Sequence, residues 1–153
     1  MIKSVVSVLL CIVMILSFSA CAKDKVLILD EFSRTVSFSM GDVNVKGKLD
    51  FKNSDCITFT VEEPENLKGI TFSENTASLD EITISYAKLK DKSPVYILLS
   101  IIKNIAENEI YLPLKGEYTF QGTVSAVEYK VVFDCENELI SRIVTEKFSY
   151  NFE

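Results

Sequence analysis

The chain has 153 residues, with 16 lysines and arginines against 22 aspartates and glutamates and a formal net charge of −6. A net acidic chain without a lysine/arginine cluster is a poor nucleic-acid binder and offers no basic patch to anionic lipid heads. Histidine and tryptophan are absent, which excludes Ser-His-Asp and Cys-His nucleophilic sites and the usual imidazole zinc sites, and weakens a carbohydrate-stacking role.

The first element is a secretory signal. Lys3 is a short basic start, Ser4 to Phe18 is almost wholly apolar, Ser19 and Ala20 are small, and Cys21 follows at once. Phe18-Ser19-Ala20-Cys21 resembles the lipobox of bacterial lipoproteins. In that family the signal peptidase needs small side chains beside the scissile bond, and the cysteine thiol carries a diacylglyceryl group. Phe18 departs from the aliphatic residue that usually stands there. The resemblance implies a signal peptide over 1–20, a lipidated Cys21 with a short tether over 21–30, and an acyl-anchored protein on the extracytoplasmic face of the cell membrane. Two plainer readings are an uncleaved anchor over Val5 to Ala22, near the lower limit of about 17 residues for a span, and ordinary secretion with Cys21 as a free thiol.

Residues 31–153 suit one domain with one core. Apolar and polar residues alternate with period two through Phe32–Met40, Val43–Phe51 and Ile57–Val61, with turns at Gly41-Asp42 and Lys52–Asp55. Such runs are half-buried antiparallel strands. Glu62-Glu63-Pro64-Glu65-Asn66 breaks the pattern, because proline cannot donate to a ladder. Leu67, Ile70 and Phe72 lead into a fourth strand, Ser73 to Ala77 is a polar turn, and Leu79, Ile82, Ile84 and Tyr86 make a fifth.

One helix is predicted, over Pro94 to Ala106. Ser93 is its N-cap and Pro94 its first residue. Val95, Leu98, Leu99, Ile102, Ile105 and Ala106 share a broad face that Tyr96, Ile97 and Ile101 extend, so the helix should be covered on more than one side. Strands resume over Leu114–Gln121 and Thr123–Phe133. Asp134 to Glu138 is a turn, and Leu139 to Phe152 reads as one long final strand. About eight strands with a single helix between the fifth and sixth is an α+β pattern. A strongly curved antiparallel sheet wrapped round a central helix would bury both apolar faces.

Two cysteines fall in this domain. An oxidising compartment permits a disulfide between Cys56 and Cys135; the alternative is two small apolar core residues kept reduced.

Three segments together resemble the half-barrel fold of the LolA/LolB-like lipoprotein carriers. They are the strand that leaves through a proline loop and returns through glycine, Phe59 to Phe72; the strand Ile82-Thr83-Ile84-Ser85-Tyr86; and the closing hairpin from Gly116 to Phe152. The carriers usually begin with a long helix before the first strand, and only Val26 to Phe32 could serve as one here. The resemblance implies an apolar cavity that takes acyl chains, for which Phe38, Phe51, Phe59, Phe72, Leu98 and Ile102 are the candidate lining. The plainer reading is that these side chains fill the core.

Three functional classes follow. The first is a non-catalytic, lipid-anchored module binding a hydrophobic ligand or lipid. The second is an envelope structural or interaction protein with a packed core that presents Glu62, Glu63, Glu65, Asp80 and Glu81 to a protein partner that the sequence leaves unnamed. The third is an enzyme or metal binder using Glu62/Glu63/Glu65 or Asp134/Glu136/Glu138. The segment Asp134-Cys135-Glu136-Asn137-Glu138 lacks calcium-loop spacing, and no nucleophile–base pair can be named. No catalytic residue, metal site or cofactor is therefore expected.

Overall fold

The computed structural model describes residues 24–85 and 93–153. The signal, the lipobox with Cys21, and Tyr86 lie outside the described residues.

Twelve strands and one α-helix are described. Ten strands form one antiparallel sheet, and β1 (Lys25–Leu27) pairs with β8 (Ile110–Leu112) in a second. The large sheet consists of two meanders. The first runs through β2 (Phe32–Met40), β3 (Val43–Asn53), β4 (Cys56–Glu63), β5 (Thr71–Phe72), β6 (Thr76–Leu79) and β7 (Ile82–Ser85). The second runs through β9 (Glu117–Val124), β10 (Val127–Asp134), β11 (Leu139–Thr145) and β12 (Ser149–Phe152). They meet where β12 pairs with β2, with Tyr150 opposite Phe38 and Phe152 opposite Val36. Across that seam Arg34 donates from Nη1 to the Ile140 carbonyl at 2.9 Å and from Nε to the Glu153 carbonyl at 3.2 Å.

The α+β class and the antiparallel sheet around one helix stand as read from the sequence; the count of about eight strands is corrected to twelve. The expected fifth strand is the hairpin β6–β7, turned at Asp80 with φ 51°. Aspartate tolerates this left-handed backbone better than most residues. The expected final strand is the hairpin β11–β12. Its turn is held by the Thr145 hydroxyl, which accepts from the amides of Phe148 at 2.9 Å and Lys147 at 3.3 Å. The break expected near Gly122 lies instead at Ser125-Ala126, between the paired Val124 and Val127. Of the two structures that the apolar run Val26 to Leu29 in the tether allows, a brief helix or a first strand, the chain takes the strand β1, whose Leu27 reaches the core.

Helix α1 (Pro94–Glu107) lies in the connection between the two meanders. Ser93 caps it, its Oγ accepting from the Tyr96 amide at 3.3 Å. Val95, Ile97, Leu98, Leu99, Ile101, Ile102 and Ile105 are all buried. They point round most of the helix circumference, so α1 is wrapped as its sequence predicts. One continuous core joins α1 to both meanders and to the β1–β8 pair.

Candidate functional site

The six candidate cavity residues belong to that core. Phe38, Phe51, Phe59, Leu98 and Ile102 are buried, and Phe72 packs half-buried against them. The Phe38 and Phe59 rings lie 5.8 Å apart, and Phe38 and Tyr150 5.3 Å apart. None of the six lines either cavity described below. The period-two pattern that singled out the phenylalanines marks the inward face of a strand, and in this fold that face joins one core with the helix that carries Leu98 and Ile102.

The concavities lie further out, along the less buried side of α1. The first has a volume of about 500 Å³. One wall is α1, with Leu99, Ser100, Lys103 and Glu107. The opposite walls are the β3–β4 turn at Asp55, the start of β4 at Ile57, the β5–β6 turn at Glu74, and the β9–β10 tip at Val124. Both meanders thus contribute to one hollow, which follows from the curvature of the sheet about the helix. Its floor is apolar: Ile57 and Leu99 are buried and Val124 is half-buried. Its rim is polar. Lys103 Nζ stands 3.5 Å from Glu74 Oε1 and 3.9 Å from Asp55 Oδ1.

The second cavity, about 920 Å³, lies on the other side of the β9–β10 tip, between Ile97 of α1 and Tyr129, Thr145 and Phe148. Its charged lining is balanced, with Glu128 and Glu146 against Lys130 and Lys147. The hairpin tip and the Tyr129–Asn104 hydrogen bond stand between the two hollows. Burial pushes the Tyr129 hydroxyl above the usual tyrosine range, so it stays protonated and donates.

No family profile and no curated protein match the sequence. Among solved structures the chain is similar to a LolA superfamily protein from Nitrosomonas europaea, with 8% identity, a TM-score of 0.33, and coverage of 83% of this chain and 86% of that one. Residues do not carry over from one chain to the other at that level of likeness.

Other candidate residues are dispersed. Glu62, Glu63, Glu65, Asp80 and Glu81 are exposed. Asp134 is held in its turn by Asn137 and Glu136: its carboxylate accepts from Asn137 Nδ2 at 2.7 Å and from the Glu136 amide at 3.1 Å. Those bonds hold its carboxyl below the usual aspartate range, with the Asn137 side chain the largest cause. Among the described residues no group of three histidine, cysteine, aspartate or glutamate side chains could hold a metal ion, and no helix is long and apolar enough to cross a membrane. Cys56 and Cys135 are both free thiols, so the disulfide left open by the sequence is not formed. Cys56 is exposed on the rim of the first cavity, whereas Cys135, the residue after β10, is buried.

The residues that sequence reasoning missed are those of the first cavity. Asp55, Glu74, Lys103 and Val124 lie on three turns and a helix, with no spacing that links them along the chain. Only Lys103 carried a signal, as a cation set among the apolar residues of the helix.

Proposed function

We propose that this protein is a non-catalytic binding module for a hydrophobic ligand or lipid, tethered through an acylated Cys21 to the extracytoplasmic face of the cell membrane. The first cavity carries this reading. Its volume falls in the range of small-molecule sites, and it combines an apolar floor with a few converging polar groups. The bound chain lies along α1 against Ile57, Leu99 and Val124 rather than among the core phenylalanines. The lipobox supports the anchor: a Cys21→Ala variant that remained membrane-bound and was processed as before would rule it out.

A second reading, an envelope interaction module whose function lies on its acidic outer face, draws support from the packed position of Phe38, Phe51 and Phe59. Native mass spectrometry of the protein freed of its leader, followed by solvent extraction, separates the two. A co-purified lipid of defined mass supports the binding module. A bare polypeptide mass, unchanged after incubation with envelope lipids, supports the interaction module.

A further inference from the structure

The rim of the first cavity is not electrically neutral. Asp55, Glu74 and Glu107 line it together with a single cation, Lys103, so three carboxylates against one ammonium leave two net negative charges around the mouth. The second cavity, with two charges of each sign, has none. The net charge of −6 on the chain adds a negative field in the same sense. An anionic head above the apolar floor would meet this field unfavourably, whereas a cation would be drawn to it.

We infer that the first cavity selects amphiphiles whose head carries a positive charge, such as a primary amine, over those with a neutral or anionic head. This inference rests on the proposed hydrophobic-ligand reading and names the class of ligand. The alkyl chain covers Ile57, Leu99 and Val124, and the ammonium sits among Asp55, Glu74 and Glu107. Lys103 is the resident competitor. Its contacts of 3.5 and 3.9 Å are long for ion pairs, and the Asp55 and Glu74 side chains are 89% and 60% exposed. Such pairs are weak and readily exchanged for an incoming ammonium. The hydroxyls of Thr58, Thr76 and Ser100 on the same walls add acceptors for the N–H groups that do not meet a carboxylate.

The test uses the full-length protein in phosphocholine nanodiscs. Dodecyl probes carrying a photoreactive diazirine and an amine, maltoside or sulfate head are offered, and labelled residues are mapped by peptide mass spectrometry. Comparing variants in one membrane cancels the different partitioning of the probes. The amine probe should label peptides containing Ile57, Leu99 or Val124. Asp55→Asn, Glu74→Gln and Glu107→Gln should each lower that labelling by about two- to fivefold. Lys103→Gln should raise it, because the competitor is gone. Labelling of the charge-balanced second cavity should change in none of these variants. Cavity labelling by all three heads that ignores the carboxylate variants would overturn the charge selection while leaving the hydrophobic-ligand reading intact. Sulfate labelling that rises in Lys103→Gln would likewise overturn it, because removing the cation should repel an anionic head further. Absence of cavity labelling by every probe would overturn both.

Discussion

The Tyr129 hydroxyl donates to Asn104 Oδ1 at 2.5 Å and thereby fixes the distance between β10 and α1. It reaches that acceptor by passing over Gly122, where a Cβ would overlap the hydroxyl and the ring carbon that bears it. A glycine on β9, a tyrosine on β10 and an asparagine on the helix therefore form one unit. Tyr129→Phe and Asn104→Ala should each lower stability by about 1 kcal/mol, and the double variant should cost clearly less than the sum. Urea midpoints of the four proteins check this; simple additivity would show that the pair is not coupled.

Gly47→Ala should be more damaging than either. A Cβ at Gly47 would overlap the Thr60 carbonyl oxygen, which is backbone and fixed by pairing, as well as the Phe59 ring. Accommodation requires β3 and β4 to part at the bulge between Lys46 and Gly47. The expected loss is about 1–3 kcal/mol, seen as a lower thermal midpoint. An unchanged midpoint would mean that the bulge yields without cost.

The β9–β10 turn offers the opposite outcome. Ser125 and Ala126 stand at φ 49° and 62°, both in the left-handed region, where a side chain is strained. Two successive left-handed residues in a two-residue hairpin turn are the pattern that Asn-Gly satisfies best. Replacing Ser125-Ala126 by Asn-Gly should raise stability by about 1 kcal/mol while leaving the register Val124–Val127 intact. A lower melting temperature would contradict it.

Alkaline titration should find Tyr150 buried at the seam. Its hydroxyl donates to the Pro94 carbonyl at 2.8 Å, and burial holds its ionisation far above the usual tyrosine range. Because the folded form resists ionisation, the stability this group contributes is complete below about pH 10. It is lost progressively above that, as the unfolded chain ionises and the folded protein does not. Tyr150→Phe should flatten that alkaline decline and cost about 1 kcal/mol at neutral pH. Stability curves of the two proteins against pH provide the measurement, and parallel curves above pH 10 would remove Tyr150 as the cause.

The two domain thiols should differ in reactivity. Cys56 is exposed, while burial pushes the Cys135 thiol up, with Asp134 and Glu117 adding repulsion against a thiolate. Alkylation of the folded protein should therefore modify Cys56 quickly and Cys135 only under denaturant. Equal rates on the native protein would place Cys135 in contact with solvent.

The fold was legible where side-chain period carries it. Phe32–Met40, Val43–Asn53 and Cys56–Glu63 alternate cleanly because one face meets α1 and the other meets water, and Ser93-Pro94 marks the helix start. Legibility failed at turns built from unusual residues. Ser125-Ala126 and Glu146 to Phe148 contain neither glycine nor proline, and the Thr145 hydroxyl holds the second of these in a way that periodicity does not register. The bulge between Val132 and Phe133 also shifts the phase, so that Ile140 and Ile143, three residues apart, both face inward. The cavity was illegible because Asp55, Glu74, Lys103 and Val124 meet only through tertiary curvature, whereas the phenylalanines that stood out in sequence are drawn into the core by their size.

The pairing of β2 with β12 has a consequence for how the molecule is made. Every other neighbour in the large sheet is its predecessor or successor along the chain, so each meander can zip up by local closure as it appears. The seam alone must wait: Val36 pairs with Gly47 on one side, but the other edge of β2 stays open until Phe152 has been synthesised. Until then the nascent polypeptide carries two unfinished edges, the strands most prone to pairing with a stranger. The shortest segment of the second meander, Ser149–Phe152, is in this sense the clasp of the whole protein: blocking those four residues should leave the first meander and β9 to β11 formed and the molecule open.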